Sequence, residues 1–219
     1  MPRTALLAVL GIAAVVSAPP ARAADGLFPD PAVDIERSAS KRKETAVLAG
    51  GCFWCTEAVF EELTGVRKVV SGYSGGTAKT ARYHLVSSGQ TDHAEAVEIT
   101  YDPAKISYGQ LLKVFFSVAH DPTQLNRQGP DIGRQYRSAV FYRDPEQKRI
   151  AEAYLRQLAE AKVFSQAMAT EVSPLNGFYA AEEEHQDFVR LNPEHRYVVT
   201  YAIPKLQKIR KTFPGLVRK

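Results

Sequence analysis

The chain has 219 residues, long enough for one ordinary domain with a sizeable core. Hydrophobic content of 45% and charged content of 24% are typical of a soluble globular protein. A formal net charge of +4 is too modest to call for a nucleic-acid partner.

Residues 1–23 read as a secretory signal. Arg3 supplies a positive start, and Ala5 to Ala18 form an apolar run too short for a comfortable membrane span. Ala21-Arg22-Ala23 then places small residues where a signal peptidase reads, so cleavage is expected after Ala23. The alternative is an uncleaved anchor helix. No cysteine lies nearby for a lipid anchor, and an exported protein, periplasmic or secreted, is expected. Residues 24–44 read as a flexible linker, with Pro29, Pro31, Ser38, Ser40 and the charge run Lys41-Arg42-Lys43-Glu44.

The folded domain is expected over residues 45–203. Ala46-Val47-Leu48-Ala49 is an apolar run suited to a buried strand, and Gly50-Gly51 turns the chain. Trp54, Ala58, Phe60 and Leu63 then alternate with Thr56, Glu57, Glu61 and Glu62 as a helix ending near Gly65. Strands are predicted over 66–73, 94–101 and 136–142, and a second helix over 111–118. A third helix over 145–160 opens on Asp144 as N-cap with Pro145 in its first position. Residues 182–191 read as another helix. Lys205, Lys208, Arg210 and Lys211 mark a basic C-terminal extension, 204–219, read as a solvated helix face rather than a membrane contact. The pattern predicts an α+β domain: a small mixed β-sheet with two long helices packed on one face, a ferredoxin-like core, acting as a monomer.

The chain has two cysteines, Cys52 and Cys55. A bridge between them closes so small a loop that it restricts the unfolded chain little, which makes redox chemistry a better reading than stapling. Cys52 is placed where a strand ends and a helix begins. Unpaired backbone N–H groups there favour negative charge, so its thiol is expected to ionise more easily. Cys55 follows one helical turn later on the same face, with Cα atoms about 5–6 Å apart. Three other readings stay open at this point: two core cysteines, half of a zinc site, or a thioredoxin-like C-x-x-C. His84, His93, His120, His185 and His195 lack the close paired spacing of zinc ligands, and Phe53 and Trp54 fall inside the motif instead of before it.

Gly51-Cys52-Phe53-Trp54-Cys55 resembles the G-C-F-W signature of the A-type peptide-methionine sulfoxide reductases. Further blocks match in order: Gly72-Tyr73-Ser74-Gly75-Gly76; Tyr83; His93-Ala94-Glu95-Ala96-Val97; Tyr101-Asp102-Pro103; Asp121-Pro122-Thr123; and Asp131 through Gln135-Tyr136-Arg137-Ser138. The resemblance covers about residues 46–195. Three features depart from the commonest pattern. Cys55 stands where many members have glycine, as in a subgroup with G-C-F-W-C. No cysteine lies near the C-terminus, and Asp92 occupies a position that is often glycine.

The resemblance implies reduction of the S epimer of methionine sulfoxide, free or in proteins, as repair after oxidation. A sulfoxide sulfur becomes electrophilic once its oxygen is protonated or hydrogen-bonded. The reaction then needs a thiolate, an acid and donors around the oxygen. By resemblance, Cys52 is the nucleophile and Glu95 the acid, which requires burial to raise its pKa. Tyr83 and Tyr136 are the phenolic donors and Asp131 the second carboxylate, while Phe53 and Trp54 cradle the S-methyl group. Cys52 passes through a sulfenic acid, Cys55 closes a Cys52–Cys55 disulfide, and a thioredoxin-like dithiol reopens it. The resemblance implies neither metal nor organic cofactor. A thiol-disulfide oxidoreductase and a non-catalytic binder of oxidised segments are the competing functions.

Overall fold

A computed structural model describes residues 28–35 and 43–218. The signal reading of residues 1–23 lies outside them. In chain order the elements are β1 (Glu44–Gly50), α1 (Phe53–Glu61), β2 (Val66–Ser74), α2 (Tyr83–Val86), β3 (Ala94–Tyr101) and α3 (Tyr108–Val114). Then follow β4 (Arg127–Gln128), β5 (Asp131–Ile132), β6 (Ser138–Tyr142), α4 (Pro145–Glu160), β7 (Glu171–Pro174), β8 (Phe178–Ala180), α5 (Phe188–Leu191) and α6 (Ile203–Thr212).

Six strands form one mixed sheet in the order β7-β6-β1-β3-β2-β8, antiparallel except for the parallel β6–β7 pair; β4 and β5 form a separate small hairpin. Side chains alternate across a strand. Ala46 and Leu48 therefore join Val97, Ile99 and Val140 on one face, against Val59 and Phe60 of α1, Leu111 and Leu112 of α3, and Ile150, Tyr154 and Leu158 of α4. Val47, Ala49, Ala94, Ala96, Ala139 and Phe141 face the other way and are covered by Leu175 and Phe178. Burial on both faces is why β1 reads as an unbroken apolar run instead of an alternation. The α+β class is as expected.

Local signals place several elements well. Asp144 caps α4 by accepting from the Gln147 N–H at 2.8 Å, with Pro145 at the first helical position. Ser107 and Gln110 make a reciprocal capping box that starts α3 earlier than the apolar run alone implies, and α3 runs on into a π-helical turn over Phe115–Ala119.

Four expectations need correction. The first is the linker: its described part, 28–35, lies on the helices. Phe28, Val33 and Ile35 pack against the core, Asp34 accepts from the Ser107 hydroxyl and from Gly109 N–H (2.9 Å), and Tyr154 donates to Pro29 O (2.9 Å). The second is the C-terminal extension. Ile209 and Phe213 are buried, Arg210 pairs with Glu62, and Val217 bridges Leu63, so this stretch completes the core. The third is the helix over 182–191. It breaks at Asp187, whose φ of +54° is left-handed, leaving a 3₁₀ turn and the single turn of α5. The fourth is the polar face of α1. Thr56 and Glu57 are buried because α5 and α6 pack over that face.

Candidate active site

Gly51 sets the turn that carries the cysteines. Its φ is +84°, and a Cβ there would sit 2.5 Å from Gln128 Cγ, so a side chain is excluded on both counts. Gln128 is held by the Asp121 backbone, accepting from its N–H and donating to its carbonyl, both at 3.1 Å. This contact ties the distant Asp121-Pro122-Thr123 block to the cysteine turn. Cys52 is the N-cap of α1, and its carbonyl accepts from Cys55 N–H (3.2 Å) and Thr56 N–H (3.4 Å).

The two cysteines stand side by side as free thiols, unbridged. Cys52 is half-buried and Cys55 only 2% exposed, so Cys52 is the sulfur that a substrate reaches. Their thiols hydrogen-bond to each other. Burial, that bond and the Glu95 carboxyl push the Cys52 thiol well above the ordinary thiol range. This overturns the expectation of an easily ionised Cys52. Desolvation exceeds what one helix terminus offers, and the first N–H of α1 is spent elsewhere, donated by Phe53 to Glu95 Oε2 at 3.1 Å. Cys55 is lowered, first by the hydrogen bond from Cys52 and then by the Lys205 charge. Of the two sulfurs, the inner one is therefore the readier to carry negative charge.

Glu95 lies on β3 opposite Tyr73 of β2 and is 2% exposed. Burial raises its carboxyl to about 8, against the pull of the Phe53 N–H and with a further push from Asp131. At neutral pH it is a protonated acid beside Cys52, as the sequence reading requires. Burial, helped by the neighbouring carboxylates when they are ionised, raises the Tyr83 and Tyr136 phenols. Tyr83 begins α2 and is partly exposed; its backbone N–H donates to Glu182 Oε1 (2.9 Å) and its ring lies 4.2 Å from that of His185. Tyr136 ends the 3₁₀ turn before β6. Asp131 comes from the β4–β5 hairpin, half-buried and raised by burial. The six residues read as catalytic thus come together from α1, α2, β3, the β4–β5 hairpin and the approach to β6.

The two aromatic residues are more committed to packing than a bare substrate cradle would be. Phe53 is 1% exposed and packs on Tyr73 and His185. Trp54 stacks on Phe188 with centroids 3.6 Å apart and meets Tyr197 edge-on. Asp92 lies on the rim, pairing with Arg134 at 3.5 Å and lending its carbonyl to Arg137. The His93 block is explained by backbone support: Nδ1 accepts from Gly76 N–H (3.3 Å), so Nε2 carries the proton donated to Thr77 O (3.0 Å).

Residues from the C-terminal third complete the site, and the motif reading did not include them. Tyr73 and Tyr83 both lean on Glu182, the first through its hydroxyl at 2.9 Å. Tyr197 donates to Asp131 Oδ2 at 2.5 Å and reaches both thiols. Lys205 donates to Ala119 O at 2.6 Å and is the nearby positive charge. The one available signal was indirect: a helix carrying Trp54 and a buried Cys55 needs a cover, and residues 188–206 supply it. Among the described residues, no group of three or more His, Cys, Asp or Glu is placed to hold a metal ion, and no helix is long and apolar enough to cross a membrane.

Comparison with known proteins agrees with this geometry. A family model described as peptide methionine sulfoxide reductase matches residues 44–215. The chain is 58% identical over 189 residues to peptide methionine sulfoxide reductase MsrA 2 of Synechocystis sp., covering 85% of this chain and 88% of that protein. Among solved structures it resembles reduced Mxr1 from Saccharomyces cerevisiae, with TM-score 0.66, 31% identity, and 73% and 91% of the two chains covered. It also resembles methionine sulfoxide reductase A of Corynebacterium diphtheriae, with TM-score 0.62, 36% identity, and 71% and 77% covered.

Proposed function

The chain belongs to the peptide methionine sulfoxide reductase family, and from that premise we propose how its own residues divide the work. It is an A-type enzyme that reduces methionine sulfoxide to methionine. The observation that carries the residue assignment is the pairing of an outer, reachable Cys52 with an acid held protonated beside it, Glu95.

Cys55 takes the Cys52 proton, and the exposed sulfur becomes the thiolate that attacks the sulfoxide sulfur of the S epimer. Glu95 gives its proton to the sulfoxide oxygen, while Tyr83 and Tyr136 donate to that oxygen as charge builds on it. Methionine leaves and Cys52 remains as the sulfenic acid. Cys55 attacks it, water departs, and the Cys52–Cys55 disulfide forms. A thioredoxin-like dithiol reopens the bridge; the support is chemical, since the chain holds no third cysteine to do so. Free methionine sulfoxide and oxidised proteins are both within this chemistry. The sequence features of residues 1–23 support export before the enzyme acts, with a periplasmic or secreted location.

The division of labour between the sulfurs is tested by rapid quench. Cys52→Ser abolishes reduction, because a neutral hydroxyl is a far weaker nucleophile. Cys55→Ser, assayed with a protein dithiol, releases at most about one methionine per enzyme and leaves a trappable sulfenic acid. One equivalent of methionine from Cys52→Ser would reverse the assignment.

A further inference from the structure

The resolving step has a proton problem that the assigned residues leave open. Cys55 must lose its thiol proton as it attacks, and the oxygen on Cys52 must gain one as it leaves. Glu95 has already given its proton to that oxygen. Cys55 itself is 2% exposed and faces the interior, so bulk water does not reach its sulfur freely. The side chain that does reach it is Tyr197.

Tyr197 stands one residue before a π-helical turn, Val198–Ala202, in the segment that closes over α1. Its hydroxyl donates to Asp131 Oδ2 at 2.5 Å, and its side chain packs against the cluster that holds Cys55, close enough to influence both thiols. Its ring is held on both sides, edge-on to Trp54 at 5.8 Å and against Tyr201 at 4.8 Å. A phenol packed beside the buried sulfur and anchored by a carboxylate can accept a proton from one side and give up its own on the other.

We propose that Tyr197 is the catalytic proton shuttle of the resolving step, with Asp131 as its positioning residue; the proposal rests on the reading of Cys55 as the resolving thiol. The Cys55 sulfur forms the S–S bond, and the Cys52 S–O bond breaks. The Cys55 proton passes to the Tyr197 oxygen while the phenol's own proton, given to Asp131 in the resting site, turns from that carboxylate to the departing hydroxide, which leaves as water. Cys55 sulfur is oxidised and Cys52 sulfur reduced by the same one-level change, so no outside oxidant or acid is consumed. The Asp131 carboxylate anchors the phenol and offsets the positive charge that builds on it during the transfer. Lys205 serves the opposite moment, favouring negative charge on Cys55 before the first step.

The test follows one turnover of free methionine sulfoxide by rapid quench, reading methionine, trapped sulfenic acid and alkylation-protected disulfide on the same samples. General acid-base assistance is worth on the order of 10²- to 10⁴-fold, and one relay of several routes loses the lower part of that range. In Tyr197→Phe the interval between methionine release and disulfide formation lengthens by about 100-fold, with sulfenic acid trapped throughout it. Imidazole added to the variant shortens that interval, a rescue that a merely structural tyrosine does not show. Asp131→Asn retains an acceptor for the phenol without the charge, and its interval falls between the two. Disulfide formation at parental speed in Tyr197→Phe overturns the shuttle, and so does a variant that releases no methionine at all, which would place Tyr197 in the first step. If peptide mapping of the parent finds no Cys52–Cys55 bridge, the reading of Cys55 fails first, independently of any result on Tyr197.

Discussion

Replacing Glu95 by glutamine is expected to cost activity and add stability, and the two effects share one cause. Burial raises the Glu95 carboxyl from 4.5 to about 8. At about 1.4 kcal/mol per unit, the folded state disfavours the ionised form by roughly 5 kcal/mol. The sign follows from proton counting: between pH 4.5 and 8 the folded chain holds a proton that the unfolded chain has released, so this group erodes stability as pH rises across that window. Below it both states are protonated, and above it both are ionised. Glutamine stays neutral throughout and can still accept from Phe53 N–H. Glu95→Gln therefore gains on the order of 2–5 kcal/mol over the parent at pH 8 and little at pH 4.5, the lower figure allowing for relaxation of the site. Glu57 and Glu61, raised by burial to about 8 and about 7, slope the same way in both proteins and cancel in the difference. Urea unfolding of both proteins at the two pH values measures it. In parallel, the single-turnover reductive rate drops by about 10²- to 10⁴-fold, while the parent rate declines above pH 8 as the acid ionises. Equal pH dependence of stability in the two proteins would refute the buried protonated carboxyl; an undiminished reductive rate would remove Glu95 from the chemistry.

Trp54 is the single tryptophan, stacked on Phe188 and next to both sulfurs, so its emission is expected to differ between the dithiol and disulfide forms; superimposable spectra would place the ring outside the redox pair's influence. Asp34→Ala strips acceptors from the Ser107 hydroxyl and the Gly109 N–H, and a loss of about 1–3 kcal/mol is expected by urea unfolding. An unchanged midpoint would show that the 28–35 segment adds nothing. Mass spectrometry of exported protein is expected to find Ala24 first, whereas membrane-bound chains that keep Met1 would favour an uncleaved anchor.

Legibility in the sequence followed the range of the forces involved. Asp144-Pro145 and β3 read correctly because capping and strand alternation are decided within a few residues. The motif residues were legible for a different reason: Cys52, Glu95 and Tyr136 are constrained by chemistry, and their types survive whatever surrounds them. What failed was whatever depended on a partner far along the chain. Glu57 reads as the polar side of an amphipathic helix, yet Asp187, 130 positions away, supplies a backbone hydrogen bond and α5 covers it. Residues 28–35 fall in the stretch 24–44, which reads as linker because its prolines, serines and charges show no period. They are held instead by hydrogen bonds to Ser107, Gly109 and Tyr154, which no local pattern encodes. The Cys52 thiol failed in the same way. The helix terminus is visible in the sequence, but the desolvation that outweighs it comes from the assembled site.

The assembled site also separates the competing functions. Exchange between a thiol and a protein disulfide moves charge from one sulfur to another and leaves a thiolate that needs no proton at an oxygen. A buried acid would then be an expense without return, since each raised carboxyl lowers the stability of the fold near neutral pH. Around Cys52 there are instead three phenols, Tyr83, Tyr136 and Tyr197, all raised by burial and all protonated at neutral pH. With them is Glu95, protonated at pH 7, and Lys205 is the nearby cation. Neutral donors suit an oxygen that is neutral on arrival and becomes negative as sulfur is attacked, because they cost little before the charge develops and stabilise it when it does. A non-catalytic binder has no use for that distinction either, as it gains from donors matched to the bound state alone. The proton inventory of the site, more than the presence of two cysteines, makes sulfoxide reduction the chemistry these residues are arranged to perform.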